Sequence, residues 1–194
     1  MSMIKWLAVF TGLCISSLTA ANNEFKTFFD SFDTLSANFV QQTYSDTGAP
    51  LAKTSGYLHF KRPAQFVWQT QAPITQTLLL SNNELWLIDK ELEQASMRPI
   101  EQLKNTPLYW LINKPGQLEN LPKFEHNELA INWYKTQQDD QLSFGFALSQ
   151  LVAIKLNNPL GQKILVTLTD LKINPVFSQD TFELKLGADF DVIR

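Results

Sequence analysis

Residues 56–70 read GYLHFKRPAQFVWQT. Leu58 and Phe60 fall on one face of a period-two pattern that ends at Lys61, and Phe66 and Trp68 repeat the alternation from Gln65 to Thr70. Pro63 separates the runs and biases Arg62 before it toward extended backbone. Two adjacent strands are the reading, and the same period extends outward. Phe39 to Tyr44 runs into a turn at Ser45-Asp46-Thr47-Gly48. Leu78 to Leu80 leads through Asn82-Asn83 to a short buried strand from Leu85 to Asp89. Further on, Leu129, Ile131 and Trp133 alternate, as do Leu142, Phe144, Phe146 and Leu148. Val152, Ile154 and Leu156 precede a loop at 157–161, and Ile164, Val166 and Leu168 follow it. Phe182, Leu184 and Leu186 finish the set. About ten or eleven short strands joined by local turns predict a mainly β fold, an antiparallel sheet strongly curved or nearly closed.

Helical spacing occurs in two places. In 22–37, with Asn22-Asn23 as cap candidates, Phe25, Phe28, Phe29, Phe32 and Leu35 form one apolar stripe, with Glu24, Lys26, Asp30 and Asp33 largely opposite. In 99–113, Ile100 and Leu103 fit one helical turn. A short helix then starts at Thr106-Pro107 and carries Leu108, Trp110, Leu111 and Ile112 before Pro115-Gly116. Residues 1–21, MSMIKWLAVFTGLCISSLTAA, have the build of a secretory signal: Lys5, an apolar run from Trp6 to Ile15, then small residues. That run is shorter than a bilayer of about 30 Å requires. Leu13 before Cys14 argues against lipidation, and Cys14 is the only cysteine. A single domain is expected over 22–194, in an exported, soluble protein.

Composition excludes several functions. A net charge of -3 with three arginines, Arg62, Arg98 and Arg194, builds no basic stripe, so nucleic acid is not expected as a partner. No nucleophile motif, phosphate loop or zinc motif is present, so neither enzymatic activity, metal nor cofactor is expected. His59 reads as an outward strand residue, His126 as a surface loop residue, and Asp139-Asp140 as a hairpin tip. Fourteen phenylalanines and amphipathic helices over a curved sheet leave two readings open: a filled core, or a lidded container for an apolar ligand.

The segment around Arg62 resembles the outer-membrane lipoprotein carrier (LolA) family, which shows G-x-L-x-x-K-R-P followed closely by F-x-W. Gly56, Leu58, Lys61, Arg62, Pro63, Phe66 and Trp68 stand in those places. The likeness continues through Pro73, SNNELW at 81–86, Glu93-Gln94, Asn105-Thr106-Pro107, Phe182 and the terminal pattern around 189–193. It departs after Trp86, where Leu87-Ile88-Asp89-Lys90 replaces a Tyr-Asn-Pro type of turn. The resemblance implies an unclosed antiparallel β-barrel of about eleven strands, its hydrophobic cavity covered by a lid of about three helices. It implies a monomeric periplasmic carrier that takes acylated lipoproteins from an inner-membrane ABC transporter to an outer-membrane receptor lipoprotein. Arg62 would correspond to the lid latch, bonding carbonyls of a lid segment at Leu108, Trp110, Leu111 and Ile112. Phe28, Phe32, Leu58, Phe60, Phe66, Trp68 and Trp86 are the cavity candidates. Two alternatives stay open here: the receptor lipoprotein of the same fold, and a lipid- or lipoprotein-sensing domain without transport.

Overall fold

The alternation around Arg62 is realised as a hairpin within one twelve-stranded sheet. The computed structural model describes residues 21–103, 106–137, 142–158 and 160–193. Residues 1–20 of the expected signal, Asn105 and the Asp139-Asp140 tip lie outside the described residues. Helix α1 (Ala21–Asp30) leads into β1 (Thr34–Tyr44), β2 (Pro50–Lys61), β3 (Gln65–Ala72), β4 (Gln76–Ser81), β5 (Glu84–Asp89) and β6 (Gln94–Arg98). Helix α2 (Pro107–Ile112) then separates these from β7 (Lys123–Glu128), β8 (Ile131–Lys135), β9 (Leu142–Ala147), β10 (Gln150–Asn157) and β11 (Lys163–Ile173). A final β12 (Asp191–Ile193) closes the order.

The spatial order is β12-β6-β5-β4-β3-β2-β1-β11-β10-β9-β8-β7. Every neighbouring pair is antiparallel except β12 and β6, which run parallel. β12 and β7 stand at opposite ends of this order, so the sheet curves without closing. Twelve strands replace the expected eleven or so. β7 is exposed at every position, and β6 and β12 are only five and three residues long, so none offered a clear alternation. Conversely, Phe182, Leu184 and Leu186 are not a strand; Phe182 ends a 3-10 turn, Gln179–Phe182. Two α-helices and three 3-10 turns stand among the described residues, where a lid of about three helices was expected. The stripe expected to be helical over 22–37 stops at Asp30. Leu35, Ala37 and Phe39 alternate inward in β1, and sheet pairing on both sides wins over helical spacing there.

Register sorts the side chains into two layers. Leu35, Phe60, Phe66, Leu80 and Leu85 pair in succession across β1 to β5 and belong to the main core on the concave face. His59, Val67, Leu79 and Trp86 form the adjacent row, which points the other way. That convex row is covered by the C-terminal segment through Phe177, Phe182, Leu186 and Phe190.

One glycine sets a spacing in the concave layer. A Cβ at Gly56 would lie 1.8 Å from the Gln69 carbonyl oxygen, backbone that cannot swing aside. Beside it, Phe39 and Trp68 stack with ring centroids 3.8 Å apart. Gly56→Ala is expected to cost about 3 kcal/mol, the upper end for overpacking, and to lower Tm by about 6–12 °C. Thermal unfolding checks this; a parent-like Tm would mean that β2 and β3 can separate freely.

Candidate functional site

The concave face is filled by a helix rather than left open. Phe25, Phe28 and Phe29 of α1, with Phe32 just beyond it, are each 3% exposed or less. Their offsets of three, four and seven put all four rings on the sheet side. Phe25 stacks on Phe29 at 4.4 Å and meets Phe144 of β9 at 5.3 Å. Phe28 meets Phe146 at 5.6 Å, and Phe32 meets Phe60 of β2 at 6.2 Å. α2 lies alongside: Leu108, Trp110 and Leu111 are buried, Ile112 is half-buried, and Trp110 stands edge-on to Phe25 at 5.8 Å.

Phe28, Phe32, Leu58, Phe60, Phe66 and Trp68 all meet in the core on this concave side. Trp86 does not. It packs against Val67, Leu79, Ile88, Ala95 and Phe182 on the convex face. β5 is apolar on both faces because the C-terminal segment covers the outer one, so its sequence alone could not fix which parity points inward. Trp86→Ala is therefore expected to destabilise by about 3–5 kcal/mol while leaving uptake of apolar cargo unchanged. Melting and cargo binding measured together would test the placement; lost cargo binding in a variant still folded at assay temperature would return Trp86 to the cavity.

Arg62 sits where β2 ends, and it grips a different element from the one expected. Its Nη2 donates to the Phe29 carbonyl at 2.9 Å and its Nη1 to the Phe32 carbonyl, while its backbone N–H donates to Asp33 O. These carbonyls belong to the C-terminal end of α1 and the turn after it, not to Leu108–Ile112 of α2. A helix C-terminus leaves carbonyls without intrahelical partners and carries partial negative charge, so a cation there is matched twice over. The guanidinium also lies over the Phe32 ring at 4.6 Å. Burial lowers its pKa, opposed by the charges of Asp33 and Asp30, yet an arginine so placed stays protonated. Its Nε is buried without a partner.

Two residues that the sequence did not single out hold the same helix. Asn174, at the end of β11, accepts from the Asp33 N–H at 2.9 Å and donates to the Ser31 carbonyl at 3.1 Å. Glu24, in the first turn of α1, was placed on the polar side of the stripe. Its carboxylate instead accepts from Asn132 Nδ2 at 3.0 Å, Tyr134 OH at 3.2 Å and the Ser149 N–H at 3.0 Å. Burial, then the Glu24 charge and hydrogen bond, push the Tyr134 phenol far above its ordinary pKa. An acidic residue near a helix start is the sequence signal for Glu24, but such residues are common there and its partners are remote in the chain.

His59 lies on the convex face between Tyr57 and Phe177, each 4.9 Å away between ring centres, and burial lowers its pKa. His126 is in strand β7 rather than a loop, its ring stacked over Trp133 at 6.5 Å. Among the described residues no group of acidic, histidine and cysteine side chains is arranged to hold a metal, and no helix is long and apolar enough to cross a membrane.

The site is thus an apolar concavity covered by an amphipathic helix, with polar ties at both helix ends. Known proteins share this fold. A LolA superfamily protein from Nitrosomonas europaea superimposes with a TM-score of 0.50 over 88% of this chain and 99% of its own, at 11% identity, a likeness of fold alone. An outer-membrane lipoprotein carrier protein from Hahella chejuensis is 32% identical over 172 residues, covering 84% of this chain and 82% of its own. Another so named, from Xylella fastidiosa, is 30% identical and covers 95% and 94%. The model of the family described as outer membrane lipoprotein carrier protein LolA matches residues 30–185, taking in Arg62, α2 and all the strands but β12. By sequence over most of its length, the chain belongs to the LolA family.

Proposed function

We propose that this protein is a periplasmic carrier that takes up acylated lipoproteins and delivers them to the outer membrane. The observation that supports the reading most is α1, whose phenylalanine face fills the concave side of the sheet while Arg62 holds its C-terminal end. The names of the relatives agree with it. In this reading residues 1–21 are the export signal and 22–194 the carrier domain, working as a monomer without catalysis. Cargo comes from an inner-membrane lipoprotein-releasing ABC transporter and goes to an outer-membrane receptor lipoprotein.

Energetics require a covered site. Three acyl chains hold about 45 methylenes, and exposing them costs about 35 kcal/mol at about 0.8 kcal/mol each. Membrane and concavity are similarly apolar, so most of that sum cancels when cargo passes between them. Direction is then set by a few kcal/mol, and a helix that competes with cargo for the same apolar face supplies a difference of that order. The test is to incubate purified protein with spheroplasts and analyse the supernatant. Lipoproteins are expected there in complex with it; their absence would overturn the carrier reading.

A further inference from the structure

We infer that Glu24 is a second latch on the lid helix, holding the N-terminal end of α1 closed as Arg62 holds the other end. The inference rests on the carrier reading and adds a positioning residue to it. α1 is short and every ring on its inner face is buried, so either end could lift first unless both are tied. The tie at the N-terminal end is a carboxylate with three donors. Asn132 Nδ2 and Tyr134 OH, both from β8, reach Glu24 Oε2, and the Ser149 N–H reaches Oε1. Asn132 is itself oriented by Asn127, whose Nδ2 donates to its Oδ1 at 2.8 Å. Ser149 belongs to the two-residue turn between β9 and β10, where Leu148 and Ser149 both take left-handed backbone, with φ of 50° and 61°. That turn points the Ser149 N–H outward from the ladder, and Glu24 is what it meets.

The arrangement is also matched to the helix. A carboxylate in the first turn faces the partial positive end, and the Arg62 guanidinium faces the partial negative end. The two ties differ in what they anchor to: Arg62 directly follows β2, whereas Glu24 grips β8 and the β9–β10 turn, on the other half of the sheet. The plug is thereby fastened to both halves, and full insertion of cargo has to release Glu24 as well as Arg62.

The decisive measurement pairs thermal unfolding with binding of a fluorescent palmitate by the parent protein, Glu24→Gln, Tyr134→Phe and Arg62→Leu. A latch stabilises only the closed, empty state, so losing it must tighten palmitate binding even as Tm falls. Losing charge-assisted bonds of this kind is expected to tighten binding about tenfold for Glu24→Gln and about threefold for Tyr134→Phe. A residue that serves stability alone would lower Tm with unchanged or weaker binding, and either result for both variants would overturn the inference. Should Glu24→Gln fail to fold, Tyr134→Phe removes one donor without removing the carboxylate and must still shift both readouts in the stated directions. If the parent itself takes up no palmitate, the carrier reading falls first and this inference with it. If parent and Arg62→Leu bind while the Glu24 and Tyr134 variants match the parent, only the second latch is lost.

Discussion

Replacing Arg62 by leucine is expected to yield a protein that loads lipoprotein and does not let it go. In the empty protein the guanidinium satisfies two carbonyls, that of Phe29 at the end of α1 and that of Phe32 in the turn after it. Charge-assisted bonds of this type contribute about 1.5–3 kcal/mol each. The Nε left without a partner costs part of that back, so the latch is moderate in strength and can be opened. Taking a net value near 1.5–3 kcal/mol, a lid so latched would weaken apparent cargo affinity by about ten- to a hundredfold, and the same free energy would drive release. Leucine removes both side-chain donors and leaves the backbone N–H bond to Asp33 O in place. Arg62→Lys should fall between, because one ammonium cannot span two carbonyls in the same fixed geometry. Bound cargo is to be compared before and after adding the receptor lipoprotein. Complete transfer by Arg62→Leu would end the latch assignment.

Phe28→Asp is expected to be the most damaging single change to the lid. Phe28 touches Phe29, Phe32 and Phe146 and is almost wholly buried. Truncating such a ring costs about 3–5 kcal/mol, and setting a carboxylate there without a partner adds a desolvation penalty. Tm should fall by roughly 10 °C or more. Cargo loading should fall too, since the helix face that covers the empty concavity then also faces the acyl chains. Phe32→Asp should behave alike, with the added loss of the ring under the Arg62 guanidinium. Parent-like melting and loading in both variants would show that α1 does not cover the cargo site.

The concave core was legible because strand alternation carries it: Leu58, Phe60, Phe66 and Trp68 needed only the period and the break at Pro63. Arg62 stood out in the sequence as a residue, and its contact did not. Which carbonyls an arginine meets depends on where a helix lies across the sheet, and α1 and α2 offered the same chemistry. Glu24 was hidden for a related reason, since Asn132, Tyr134 and Ser149 come from elements more than a hundred residues away. The Trp86 error came from a strand covered on both faces, where alternation no longer distinguishes inside from outside. β7 escaped because a charged, wholly exposed strand has no apolar face to announce it.

The pairing of β1 with β11 bears on the order in which this molecule can be assembled. β1 to β6 form a run of neighbours that pair through short turns, and β7 to β11 form another. Only one pair, residues 34–44 with 163–173, joins the two runs. Loop closure over that separation is entropically costly and slow compared with local hairpins, so the seam forms late. The ties on α1 straddle the same seam, Arg62 on one side and Glu24's partners on the other. A chain that emerges N-terminus first therefore has its phenylalanine helix in hand early and nowhere to dock it until the last long strand arrives. For that interval both halves expose apolar faces, and the nascent protein is itself the kind of client that needs shielding from water.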